Sequence, residues 1–474
     1  MGIETTLISL ALIFGFYMAW SIGANDVANA MGTSVGSGAL TLKRAVILAA
    51  ILEFSGALFV GSHVSETVRK GIVDPEIFAT DPLIFVYGML SALLAAAAWL
   101  QIASYYGWPV STTHSIVGSI IGFGVVVGGM HAIHWDKVGR IVASWVLSPA
   151  LSATISFLIF SLLRRKILYA LNPVEAAKKL TPFLVFCVLA ILTLVMVFKG
   201  LKNLHLNLPF PQALATAVLV GFLGAGISHL LASRIHVEPS AERIRKFQSP
   251  QVINGLDKAV QQLQRVKSAA LGDFQYQISR VLDIVEDVSY TVRKGTEIEV
   301  GSSEYKAVER IFVYLQILSA CFVAFAHGAN DVANAIGPLS AVITVLRTGI
   351  VALKTTVPIW VLALGGVGIT FGLATWGWRV IETVGKRITE LTPTRGFSAE
   401  FGAATTIVLA SKLSLPISTT HTLVGAVLGV GLARGMGALN LNTVRDILMS
   451  WLVTIPAGAG MAILFFYILK AIFS

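Results

Sequence analysis

The chain has 474 residues, 55% of them hydrophobic and 13% charged, with a mean hydropathy of +0.78. Soluble globular chains carry about a quarter charged residues, so a water-soluble enzyme or binding module is excluded. The formal net charge of +10 is no nucleic-acid footprint, because the basic residues gather at the ends of apolar runs (Arg164, Arg165, Lys166, Lys178, Lys179, Arg234) and not on one face. That distribution fits the positive-inside rule of polytopic membrane proteins.

Apolar runs that reach or approach the roughly 20 residues needed to cross a bilayer fall at 5–22, 45–62, 83–105, 142–163, 182–198, 211–232, 310–327, 357–376 and 447–472. The first lacks a basic flank and a small-residue cleavage site, so it is a mature helix and not a signal peptide. At its end, residues 23–30 read Gly-Ala-Asn-Asp-Val-Ala-Asn-Ala. Further on come Trp108-Pro-Val-Ser-Thr-Thr-His114, then Ser144-Trp145 with Pro149 behind it. These landmarks define a first unit, 1–165. Two connecting transmembrane helices are expected in 166–235. Cys187 and Cys321 both lie in apolar runs and form neither a disulfide framework nor a metal motif.

Residues 236–309 differ in kind. Their charges nearly balance, and apolar residues recur at helical spacing (Ile253, Leu256, Val260, Leu263, Val266; Phe274, Ile278, Val281, Ile284, Val285, Val288). The spacing predicts two amphipathic helices parted near Gly272 and Asp273, a small helical insertion. From 310 to 474 the landmarks return in order. The octapeptide recurs unchanged at 328–335, Leu415-Pro-Ile-Ser-Thr-Thr-His421 follows, and then Ser450-Trp451 with Pro456 behind it, at offsets of 305, 307 and 306. A register held over so long a span marks an internal duplication.

Basic stretches at 164–179 and after Arg234 belong in the cytoplasm. That puts 199–209 outside, 236–309 inside and both termini outside. Two units entering from opposite faces are inverted repeats, an arrangement common in secondary transporters. The predicted fold is therefore an all-α polytopic membrane protein of two inverted repeats, each of about five segments with broken helices.

Each octapeptide carries a carboxylate and two carboxamides: Asn25, Asp26, Asn29 and Asn330, Asp331, Asn334. Such oxygens suit a hard cation, and polar groups within apolar spans are costly enough to need a role. Pro109 and Pro416 break helices, while Ser111 and Ser418 are good N-caps. A helix start suits an anion such as phosphate, and Ser111, Thr112, Thr113, Ser418, Thr419 and Thr420 supply hydroxyls for it. Hydroxyls in membrane helices often serve only helix–helix contacts, but an identical duplication beside proline favours a site. His114 and His421 are open to two roles, proton carrier or partner of a neighbouring carbonyl. Glu53 and Glu400 break the repeat, the octapeptide offset placing Pro358 opposite Glu53. Each is a candidate for cation coordination or proton relay, or for a buried pair with a base. Ser111, His114 and Asp26 make no hydrolase triad, since Ser and His share one helical turn and catalysis has no reason to be duplicated.

The doubled octapeptide with Pro-Val/Ile-Ser-Thr-Thr-His resembles the inorganic phosphate transporter family, and the match covers both repeat units. The resemblance implies that the octapeptide residues line ion and phosphate sites and that the Ser-Thr-Thr hydroxyls bind phosphate. Val35-Gly-Ser-Gly-Ala-Leu-Thr-Leu42, Glu53 and Glu66-Thr-Val-Arg-Lys-Gly71 look like its sodium-coupled branch. The expectation is a plasma-membrane symporter of inorganic phosphate coupled to Na⁺. It needs no cofactor, no catalytic residue and no nucleic acid, its surroundings are the lipid bilayer, and a homo-oligomer is left open. The alternatives are proton coupling through His114, His421 or Glu53 with phosphate entering as a metal complex, and an anion channel or phosphate sensor. No nucleotide-binding loop appears.

Overall fold

The computed structural model describes residues 2–61, 72–197, 208–235, 237, 250–296, 302–351, 357–386, 388–412 and 417–473. Regular structure among them is helical, apart from an isolated antiparallel bridge between Val73 and Ile133. The helices are α1 (Ile3–Asp26), α2 (Ala28–Gly36), α3 (Leu42–Val60), α4 (Pro82–Tyr105), α5 (Thr112–Gly128), α6 (Trp135–Leu163), α7 (Pro173–Val197) and α8 (Phe210–Ser233). They continue with α9 (Pro250–Ala269), α10 (Gly272–Thr296), α11 (Ser303–Thr348), α12 (Ile359–Trp376), α13 (Trp378–Lys386), α14 (Pro393–Lys412), α15 (Thr419–Arg434) and α16 (Leu441–Phe473). Eight stretches are long and apolar enough to cross a bilayer: Ile3–Gly36, Pro82–Tyr105, Trp135–Leu168, Pro173–Leu194, Phe210–Ser233, Ser303–Thr348, Ile359–Trp376 and Leu441–Phe473. Eight of the nine expected runs overlap them. The ninth, 45–62, lies in α3, a helix of 19 residues that carries Lys43, Arg44 and Glu53. The expected features at Glu66–Gly71, at Pro416 and through most of 199–209 lie outside the described residues.

One expectation needs correcting. The octapeptides do not end their apolar segments; both lie inside helical runs. The first is crossed by a one-residue interruption at Val27, whose backbone stays right-handed (φ −61°, ψ −25°), so α2 continues after α1. The second is crossed by α11, 46 residues long and unbroken even at Pro338. Proline removes one helical hydrogen bond, a loss that a helix buried along most of its length tolerates. A second finding is α14, absent from the apolar runs because Thr394, Ser398, Glu400 and Thr406, all buried, dilute its hydropathy.

The chain divides into two units. Residues 161–186 and 222–312 form one, in which α9 and α10 make the expected amphipathic hairpin. It turns at Gly272 (φ +61°) and is pinned by Lys267 Nζ donating to Ser279 Oγ at 2.9 Å.

The other unit (1–160, 187–221 and 313–474) interlaces the two halves. A Cβ at Gly23 of α1 would lie 1.9 Å from the Ile369 carbonyl oxygen of α12, and one at Gly328 of α11 would lie 2.2 Å from the Glu53 carbonyl oxygen of α3. Likewise Gly118 of α5 abuts Ile455 of α16, and Gly425 of α15 abuts Pro149 of α6. Equivalent glycines thus meet equivalent backbones of the opposite half. These crossings also correct the pairing of Glu53: its counterpart is Ile369, eleven residues beyond Pro358, because the second half carries a longer connection before α12.

Gly372→Ala would bring a Cβ to 1.8 Å from the Trp20 carbonyl oxygen, and the crowding should cost about 1–3 kcal/mol. A lowered melting temperature in detergent is expected, whereas Gly139→Ala, with nothing within 4 Å of its Cβ, should leave it unchanged or raised.

Candidate functional site

The two capped helices start as the sequence predicts. Ser111 sits in extended conformation (φ −89°, ψ 121°) and its Oγ accepts from the His114 amide at 3.2 Å. Ser418 repeats this (φ −89°, ψ 114°) with the His421 amide at 3.1 Å. The amides of Thr112, Thr113, Thr419 and Thr420 then face no helical acceptor. Thr113 Oγ1 donates to the Ile417 carbonyl at 3.3 Å, which ties the two starts together. Two positive helix ends converge there, a setting for an anion.

The unwound segment ahead of α5 is held by Asn25. Its Nδ2 donates to the Trp108 carbonyl and to Ser104 Oγ, both at 3.0 Å, and its Oδ1 accepts from the Val110 amide at 3.2 Å. Both ends of this carboxamide are therefore bonded to protein. Trp451 Nε1 donates to the Pro109 carbonyl at 3.1 Å.

Asp26, Asn29 and Asn334 meet the Ser-Thr-Thr element of the other half, and Asp331 that of its own. Asn29 Nδ2 donates to Thr420 Oγ1 at 2.8 Å, and that hydroxyl lies 3.1 Å from both Asp26 Oδ1 and the Val110 carbonyl oxygen. Reciprocally, Asn334 Nδ2 donates to Thr112 Oγ1 at 3.1 Å and Thr113 Oγ1 at 3.2 Å, while Thr419 Oγ1 donates to Asp331 Oδ2 at 2.7 Å. Asn330 Nδ2 donates to Asp331 Oδ1 at 2.8 Å. The cation and anion candidates thus form one crossed cluster, buried throughout. Within it Asn29 Oδ1, Asn330 Oδ1 and Asp26 Oδ2 have no hydrogen-bond partner. Such bare oxygens fit a hard cation.

His327 was not singled out from sequence. Its Nε2 lies 2.8 Å from Asp331 Oδ2 and its Nδ1 lies 3.1 Å from Glu53 Oε1, every group fully buried. One ligand atom each from Asp26, His327 and Asp331 falls within 4.8 Å of the others. In the opposite halves the positions equivalent to His327 and Glu53 are Ile22 and Ile369 respectively. A histidine opposite an isoleucine just before an otherwise identical octapeptide was the signal that could have revealed it. Glu53 therefore sits beside a histidine, with no Lys or Arg.

Glu400 lies apart, on α14. Its Oε1 accepts from Thr33 Oγ1 (2.6 Å), Ser34 Oγ (2.7 Å) and Gln316 Nε2 (3.2 Å), and its Oε2 accepts from Ser319 Oγ. Its donors are all neutral hydroxyls and one carboxamide, so no buried ion pair forms with a base. His114 and His421 face each other, ring centroids 4.2 Å apart, between Trp145 (3.6 Å from His114) and Trp451 (3.5 Å from His421). That aromatic stack bridges the two halves at the helix starts.

The sequence profile of the phosphate transporter family matches residues 22–462. Similar proteins include the chloroplastic inorganic phosphate transporter 2-1 of Arabidopsis thaliana, 47% identical over 477 residues spanning all of this chain and 74% of that one. Another is a putative phosphate permease of Chlamydia pneumoniae, 46% identical over 98% of this chain and 99% of the other. A solved structure of a sodium-dependent phosphate transporter is similar at a TM-score of 0.79 and 38% identity, covering 98% of this chain and 100% of that one.

The crossed pairing is testable without transport. Asn29→Ala and Thr420→Val remove one shared bond, so their combined loss of stability should fall short of the sum by about 1 kcal/mol. Asn29→Ala with Thr113→Val should be additive. Melting temperatures of the parent, the three single variants and the two double variants decide it.

Proposed function

The chain belongs to the phosphate transporter family, and on that premise we propose that it is a symporter that brings inorganic phosphate across the membrane together with Na⁺. The observation that carries the cation half is the pair of fully buried carboxylates, Asp26 and Asp331, with ligand atoms within 4.8 Å of each other. Like charges that close in a low-dielectric site need cations to offset them. Asn29 Oδ1 and Asn330 Oδ1, bare and buried, supply further oxygens. Phosphate goes to the paired helix starts, with the amides of Thr112, Thr113, Thr419 and Thr420 and their hydroxyls as donors.

Coupling follows from sharing. In the structure the Thr420 hydroxyl serves either Asp26 or the Val110 carbonyl. Na⁺ on Asp26 replaces that donor, and the hydroxyl turns to phosphate. Neither ion enters a dry site alone, because an unpaired buried charge costs several kcal/mol. The two halves act as inverted repeats that move against each other around the site. In this reading both termini face outward from the plasma membrane and 236–309 lies in the cytoplasm, an orientation that the distribution of basic residues supports.

Uptake of radiolabelled phosphate into proteoliposomes, with and without an inward Na⁺ gradient at matched pH, tests the reading. Na⁺-dependent uptake is expected. Asp26→Asn leaves the protein inserted but lowers apparent Na⁺ affinity by roughly 100-fold or more, the effect of losing one side of a buried charge pair worth about 3–5 kcal/mol. Uptake that ignores Na⁺ and follows a proton gradient instead would transfer the coupling role to the His327–Glu53 pair.

A further inference from the structure

The far end of α15 carries a charged cluster that the transport site does not use. Arg434, the last residue of α15, and Arg395, from the first turn of α14, both close on Glu390. Arg434 Nη2 and Arg395 Nη1 lie 3.1 and 3.2 Å from the same oxygen, Glu390 Oε2. Each guanidinium also donates to the Glu390 carbonyl, at 3.1 and 3.2 Å, and Arg434 Nη1 donates to Thr389 Oγ1 at 3.2 Å. The arginine side chains are sunk into the protein (13% exposed for Arg395, 22% for Arg434), whereas that of Glu390 stands out (72%).

Among the described residues, two mostly buried positive charges thus share one exposed carboxylate. Charges taken out of water need full compensation, and an exposed carboxylate held by ion pairs is weakly held. Guanidinium forks match the oxygens of a phosphate group, and a phosphate dianion in place of Glu390 would balance both arginines.

Comparison of the halves shows that the cluster is an addition to the fold. Both halves tie the same two loops by the same backbone bond, His134 amide to Ile72 carbonyl and Asn440 amide to Ile388 carbonyl, each at 3.0 Å. In the first half the acid at the matching place, Asp74, caps the Glu76 amide, and α5 ends on the uncharged Val127 and Gly128. The corner holds there without arginines, so a structural tie does not account for Arg395 and Arg434.

We infer that Arg395 and Arg434 form a second site for a phosphate group, in which Glu390 is a tethered stand-in for the ligand. The site is distinct from the transport site, since Thr419 lies about 22 Å from Arg434 along α15. In the orientation proposed above the C-terminus faces outward and α16 is the last crossing, which puts this corner on the cytoplasmic side. The ligand and the side of the membrane rest on that reading: the group bound would be the one that transport delivers. The first half, which opens to the other face, has no such site.

The test titrates inorganic phosphate calorimetrically into the purified full chain without Na⁺, a condition in which the proposed symporter does not load its transport site. The parent chain should bind phosphate. Arg395→Gln and Arg434→Gln should each weaken binding at least tenfold, the effect of losing hydrogen bonds to a charged group. Glu390→Gln removes the competing carboxylate and should tighten it about fivefold. Thr420→Val should leave this binding as it is. Arg395→Lys, which keeps the charge and loses the fork, should fall between parent and Arg395→Gln; it keeps the test open if a neutral variant melts early. Repeating the titration in nanodiscs with and without phosphatidic acid separates the sources. Competition from the lipid assigns the site to a headgroup, and indifference to it assigns the site to free phosphate. No binding by either the parent or Glu390→Gln overturns the inference. So does binding that survives both arginine variants and disappears in Thr420→Val, which would belong to the transport site. Uptake that ignores Na⁺, with arginine-dependent binding intact, would instead sink the symporter and leave this site standing.

Discussion

A polar side chain inside a bilayer must find its partner within the protein, since no water competes for it and an unmet group costs several kcal/mol. This chain places Asn29, Asn334, Asp26, Asp331 and the two Thr-Thr pairs in that position, and it meets the requirement across the duplication. The carboxamide of each half bonds threonine hydroxyls of the other. Neither half satisfies all of its own polar groups, so the site is built from both. The tight glycine crossings of α1 on α12 and α11 on α3 are the packing counterpart of the same constraint, because each presses an octapeptide helix against the backbone of the opposite half.

The duplication supplies a frame, and the frame is then used unequally. His327 and Glu53 stand where the opposite half has Ile22 and Ile369 respectively, and His327 reaches Asp331 directly. Asp26 instead receives the Thr420 hydroxyl and keeps Oδ2 bare. The two aspartates are equal in sequence and unequal in surroundings, so two cations bound there would not be held equally. Glu400 adds a second asymmetry. Four neutral donors from α2 and α11 converge on it, which binds the end of the first octapeptide's helix to the helix that carries the second.

What could be read from sequence was whatever is encoded locally. The cap residues Ser111 and Ser418 announce their helices because capping involves only the next three residues, and the α9–α10 hairpin follows from periodicity alone. Helix α14 was missed because its buried face is polar, which hides it from any reading of hydropathy. The partners of Glu53, Glu400 and Asn25 were out of reach for a different reason. Each contact joins residues far apart in sequence that only tertiary packing brings together, and a shifted connection before α12 was enough to misplace the counterpart of Glu53. Asn25 shows the limit most clearly: by residue type it is a cation ligand, and in the fold its carboxamide is taken up by the unwound segment at Trp108–Val110.

The crossed bonds also constrain any motion of one half against the other. Such a movement strains Asn29–Thr420, Asn334–Thr112 and the Trp145–His114–His421–Trp451 stack, since each has one partner in each half. These contacts hold the halves together. Ions bound between the carboxylates and the helix starts would take over the same polar groups and leave the halves joined through the ions themselves. The halves can then part only on one side of the ions at a time, because a gap on both sides would strand an uncompensated charge in a dry cavity. The polar groups that bond one another across the duplication are thus the same ones that would hold the ions. The partly loaded state, in which a charge has displaced a bond but found no counter-charge, is the one with most to lose.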